Sequence, residues 1–176
     1  SRGFAGASMD AIAARTQTTR ALINYYFGSK ERLYLAVLER VYAEIREAEA
    51  RFMPRVLAET LQKSGHWGAV RVTPERTAIT DVVVQGRIIE STGLDLVLEI
   101  TPGDASGATW YTRRYEGTAS KFSYDAKHAA GEPFQDVYNR IANDLAMYRA
   151  SLSADRVREL RTISELKFAE SFSPQA

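Results

Sequence analysis

The chain has 176 residues, a formal net charge of +1 and a composition that is 45% hydrophobic. That length holds one ordinary core, or a small module with a modest domain beside it. With no cysteine in the chain, disulfides, thiolate nucleophiles and cysteine zinc sites are excluded.

No apolar run reaches the roughly 18–20 residues needed to span a bilayer. Ser1-Arg2-Gly3-Phe4 is not followed by the apolar segment of a signal peptide. These features predict a cytoplasmic chain. The first residue is not methionine, which suggests a processed or truncated piece. The charge is uneven: residues 1–32 hold five basic and two acidic groups, whereas Leu57 to the end holds 14 basic and 16 acidic. The net charge of +1 favours neither nucleic acid nor an acidic partner, but a basic head on a mildly acidic body is an asymmetry worth following.

In chain order, Ser8–Arg15 predicts a short helix. Ser8 caps it, Asp10 complements the dipole in its first turn, and Met9, Ile12 and Ala13 share a face. Thr16-Gln17-Thr18 breaks the pattern. Thr18 or Thr19 caps a second helix through Phe27, with Leu22, Ile23 and Tyr26 at helical spacing. Gly28 suits the residue after a helix, where a left-handed backbone is common. Ser29 then caps a third, longer helix striped by Leu33, Val37, Leu38, Val41, Tyr42, Ile45 and Phe52. Met53-Pro54 predicts a kink or restart, with Arg55–Lys63 as a short helix ended by Ser64-Gly65.

Beyond this the period changes from helical to alternating. Ala69–Thr73, Asp81–Ser91, Leu94–Thr101 and Thr109–Thr118 predict an antiparallel meander of about four strands, with Leu94, Leu96, Leu98 and Ile100 on one face. Turn residues lie at Ser91-Thr92-Gly93 and from Pro102 to Gly107. Lys121–Gly131 reads as a polar loop. Helices at Pro133–Leu152 and Ala154–Phe172, the latter capped by Ser153, close the chain. The predicted fold is therefore α+β: an N-terminal helix-turn-helix module continuing through a long helix into an antiparallel sheet with two C-terminal helices.

From Gly3 to about Glu49 the chain, through the segment GFAGASMDAIAARTQTTRALINYYFGSKERLYLAVLERVYAEI, resembles the DNA-binding end of TetR-type transcriptional regulators. Gly3-Phe4 before a Ser-capped helix, Ile12-Ala13, the turn, the aromatic run ending in Phe27-Gly28 and Ser29-Lys30-Glu31 before Leu33 match in order. The resemblance implies duplex DNA as partner. Thr18, Thr19 and Arg20 would lie nearest the bases, and Tyr25 and Lys30 would grip phosphates. An arginine fork suits guanine O6 and N7. Lys30 and the amides of the third helix would share one phosphate. Asn24 stands where the family often has tyrosine, a phosphate or adenine contact in its own right. The family's first helix belongs upstream of Gly3-Phe4, so we expect residues 1–52 to be a truncated module.

TetR-type regulators continue into an all-helical domain, and residues 53–176 do not read that way. RFMPRVLAETLQKSGHWGAVRV, TDVVVQGRIIESTGLDLVLEI, TWYTRRYEGTAS and EPFQDVYNRIANDLAMYR resemble soluble domains of bacterial envelope lipoproteins, although the chain has no cysteine to lipidate. This implies a hybrid chain. The alternative function is then a non-enzymatic binding or scaffold domain with a protein partner, periplasmic or associated with the outer membrane.

No catalytic site, cofactor or metal is predicted. His66 sits in a turn and His128 in the polar loop, with no carboxylates at ligand spacing. Gly103–Gly107 lacks the Lys-Ser/Thr of a phosphate loop. Asp95 and Glu99 share an exposed strand face, and no serine has a visible His–Asp pair. Tyr111, Arg113 and Tyr115 alternate onto one face, where an ordinary cross-strand role outweighs base stacking. The oligomeric state is left open.

Overall fold

The computed structural model describes residues 3–74, 79–119 and 131–172. The chain divides into two compact units, Ser1–Arg51 and Phe52–Ala176.

In the first unit, α1 (Gly3–Gly6), α2 (Met9–Arg15) and α3 (Arg20–Phe27) precede α4 (Lys30–Lys63), in which the boundary between units falls. The starts of α2, α3 and α4 are each fixed by a hydroxyl that accepts an otherwise orphaned amide. Ser8 Oγ accepts from Ala11 N at 3.1 Å, Thr19 Oγ1 from Leu22 N at 3.2 Å and Ser29 Oγ from Arg32 N at 3.2 Å. Thr19, rather than Thr18, is thus the cap of α3. Gly28 ends α3 at φ 75°, its N–H donating to Asn24 O. Ala13 and Ile23 are buried, with Met9, Ile12 and Phe27 half-buried around them. The expected stripe on α4 is only partly covered: Leu33 and Leu38 are half-buried, while Val37, Val41, Tyr42 and Ile45 are exposed.

The predicted break at Pro54 does not occur; α4 runs through it to Lys63. Proline forfeits one intrahelical bond. In compensation, Met53, Val56 and Leu57 pack on the apolar core and Leu61 is buried in it, so tertiary burial outweighs the local penalty. Ser64 and Gly65 (φ 69°) end the helix as expected.

Among the described residues the sheet has three strands, not four: β1 (Val82–Ser91), β2 (Asp95–Asp104) and β3 (Arg113–Thr118), antiparallel in the order β1-β2-β3. Ala69–Thr73 alternates but forms no strand. Alternation supplies a face, not a ladder partner, and Val70 anchors this segment by packing on the core instead. The aromatic stretch joins the sheet only from Arg113, after an isolated bridge between Thr109 and Gly103. In β2, Leu96, Leu98 and Ile100 are buried, whereas Leu94 precedes the strand and is exposed. The Thr92 hydroxyl shapes the β1–β2 turn by accepting from Asp95 N at 2.9 Å, and Gly93 takes φ 83°. The expected loop at Lys121–Gly131, with His128, lies outside the described residues except for Gly131.

Helix α5 (Gln135–Ser151) and helix α6 (Ala154–Glu170) follow. Val137, Tyr138, Ile141 and Leu145 recur at helical spacing and are buried in one cluster with Leu96, Leu98, Ile100, Trp110 and Tyr115. The approach of α5 to β3 depends on Gly117, where a Cβ would run into Val137 Cγ2. Gly117→Ala is expected to cost about 1–3 kcal/mol by overpacking. Urea unfolding followed by tryptophan fluorescence checks this, since Trp67 and Trp110 both lie in the second unit.

Candidate nucleic-acid interface

Helices α2 and α3 are linked by a turn whose geometry is set by hydrogen bonds. Thr16 Oγ1 donates to Ile12 O at 2.9 Å, Thr18 N donates to Ala13 O at 3.0 Å, and Gln17 takes the left-handed region at φ 52°. Gln17 is the one described non-glycine residue there, and its backbone reverses the chain between the two helices. The outcome is that α3 begins in the open. Thr19 and Arg20 are exposed, and Thr18 is half-buried.

Asn24 and Tyr25 lie further along α3, both exposed. Tyr25 is 82% exposed and meets Tyr26 edge-on with ring centroids 5.2 Å apart. Such a large exposed aromatic pair has no packing role to explain it. Lys30, at the start of α4, holds its ammonium 4.4 Å over the Phe4 ring, which itself lies 4.8 Å from Tyr34. A cation–π contact at an exposed site is worth about 0.5–1 kcal/mol, too little to prevent an ammonium from turning to a phosphate. The α4 N-terminus is not a vacant anion site, however. Glu31 has a pKa below the ordinary glutamate range, because its carboxylate accepts from its own backbone N–H and then from the Ser29 hydroxyl.

Two neighbours make contacts with the expected residues that the sequence does not reveal. Asp10 Oδ2 accepts from Arg20 Nη1 at 3.3 Å, across the turn and ten residues apart. Phe4 seats Lys30. The first-turn position of Asp10 pointed to the helix dipole; its pairing with Arg20 needs the angle between α2 and α3, which no periodicity contains.

The second unit uses its conspicuous polar residues on itself. Asp144 of α5 accepts from Arg113 Nη1 at 2.5 Å and from the Tyr115 hydroxyl at 2.8 Å. Burial and that bond to a carboxylate push the Tyr115 phenol far above its usual value. Arg113 also lies over Tyr111, so this triad serves to join β3 to α5. Glu99 pairs with Arg87 and Arg114 on the neighbouring strands, and its carboxyl is held below the ordinary range by those hydrogen bonds. Asp95 accepts from Thr118 Oγ1. Among the described residues no group of three or more His, Asp or Glu side chains is placed to hold a metal, and no helix is long and apolar enough to cross a membrane.

A short capped helix, a tight turn and a second helix with an open polar N-terminus define a helix-turn-helix module. Residues 1–37 match the family model described as bacterial regulatory proteins, tetR family, and the N-terminal module is of that type. The chain is also 43% identical over 49 residues to the HTH-type transcriptional repressor NicS of Pseudomonas putida. That match covers 28% of this chain and 23% of the repressor, so the chain spans about a quarter of its relative's length. No solved structure matches the chain. The likeness of residues 53–176 to envelope lipoprotein domains finds no support in these comparisons.

Proposed function

We propose that this chain is a TetR-type transcriptional regulator that binds duplex DNA in a sequence-specific manner through α2 and α3. The observation that carries this reading is the open N-terminus of α3, with Thr19 and Arg20 exposed on a module of that family. In this reading α3 enters the major groove. Thr18, Thr19 and Arg20 reach base edges, Asn24 and Tyr25 follow the backbone, and Lys30 leaves the Phe4 ring for a phosphate. The Thr19 oxygen is engaged in capping, so its hydroxyl acts there as a donor. Residues 1–52 form the DNA-binding module, and residues 53–176 are a non-enzymatic α+β domain. The protein acts where duplex DNA is, in the cytoplasm. A single module of this size binds weakly, because it lacks the effective-concentration gain of a linked pair.

Anisotropy titrations of a labelled duplex at several salt concentrations test the proposal. Lys30→Ala is expected to weaken binding to all sequences and to reduce the slope of log affinity against log salt by about 1. Arg20→Ala is expected to cost about 1–3 kcal/mol at preferred sites and far less elsewhere. Absence of duplex binding at low salt, with the helices intact by circular dichroism, would end this reading.

A further inference from the structure

Among the described residues, a side-chain hydrogen bond from Arg20 to Asp10 links α3 to α2, and the reading of α3 as a groove-entering helix gives it a role. We propose that Asp10 is a positioning residue for Arg20, fixing the arginine so that it discriminates guanine. This inference rests on the DNA-binding reading.

Arginine is costly as a reader of bases. A guanidinium on a free side chain carries considerable rotamer entropy, and ordering it against a base edge forfeits much of that. An arginine already held in one orientation loses less. Asp10 engages only Nη1, through Oδ2 at 3.3 Å. The guanidinium has five N–H donors, so a parallel pair remains for O6 and N7 of guanine.

Stability does not explain the pair as well. Both side chains are well exposed, 61% for Arg20 and 70% for Asp10, and ion pairs of that exposure contribute little to stability. Asp10 also adds a negative charge to a surface that would face phosphates, which lowers general affinity. A carboxylate there is a cost to nonspecific binding that a gain in selectivity would offset.

Selection from a randomised duplex pool by the full chain tests this. The wild-type chain is expected to enrich a guanine at one position, and Arg20→Ala to lose it. Asp10→Asn should reduce the preference for that guanine about three- to ten-fold, leave the other positions unchanged and bind mixed-sequence duplex at least as tightly. Asp10→Glu, which restores the carboxylate, should recover the preference. An undiminished preference in Asp10→Asn overturns the inference while leaving DNA binding intact. So does a loss of selectivity spread over all positions together with a lowered melting temperature, which marks a structural role. A wild-type chain that retains no duplex at low salt instead removes the DNA-binding reading itself.

Discussion

Asp104→Ala is expected to lower the stability of the second unit by about 2–4 kcal/mol, a range shifted somewhat under the roughly 3–5 kcal/mol usual for breaking a fully buried pair, because Arg156 keeps 31% of its side-chain exposure. Asp104 ends β2 and its side chain is 3% exposed. Oδ1 accepts from Ser106 N at 3.0 Å, Ser106 Oγ at 2.5 Å and Ala108 N at 3.3 Å. Oδ2 accepts from Trp110 Nε1 at 3.1 Å and from Arg156 Nη2 at 3.2 Å. One carboxylate therefore closes the β2–β3 connection, satisfies a buried indole and ties α6 to the sheet. Alanine leaves the indole and the guanidinium without this acceptor, and a buried unsatisfied donor costs more than the bond itself contributed. Urea unfolding read by tryptophan fluorescence measures the loss.

The same group gives a pH dependence of definite sign. Burial acts most strongly on Asp104 and favours its neutral form. The bonds from Ser106 and Trp110 and the charge of Arg156 together outweigh it, so its pKa lies below the ordinary aspartate value. A carboxyl depressed by folding contributes stability that is complete above the unfolded value of about 3.9 and is lost as the pH falls through the folded value. The wild-type chain should therefore lose stability below about pH 4 more steeply than Asp104→Ala. Parallel acid profiles would show that Asp104 is not the group responsible.

Ile141→Ala should cost about 2–5 kcal/mol. Ile141 is 0% exposed, in the cluster that also holds Leu96, Leu98 and Leu145, and a truncated side chain there leaves a cavity that strands and helix cannot both move to fill. The result should be a lower urea midpoint with an unchanged slope. A loss below 1 kcal/mol would mean that the cluster is looser than its burial implies.

Much of this architecture was legible in local chemistry. Ser8, Ser29 and Ser153 cap the helices they were expected to cap, because a cap joins a hydroxyl to an amide three residues away. Val137, Tyr138, Ile141 and Leu145 were readable as one face because helical period and burial coincide there. The limits had equally specific causes. Ala69–Thr73 has the alternation of a strand and lacks a partner, while Pro54 has the chemistry of a break and sits where apolar packing holds the helix together. Asp104 read as a turn residue, and its bonds from Ser106 and Ala108 are local, but the bond from Arg156, 52 residues away, was invisible to any window.

Local chemistry was enough for most of the helices, their serine caps, the α+β class and the likeness of the N-terminal module to TetR-type regulators. Each follows from side chains acting over a few residues, or from a motif in which order alone is informative. The three-stranded sheet among the described residues, the passage of α4 through Pro54 and the meeting of Asp10 with Arg20 came instead from packing across the fold. These outcomes depend on which surfaces are brought together, since a ladder needs a second strand, a strained helix needs a core, and an ion pair needs the angle between two helices.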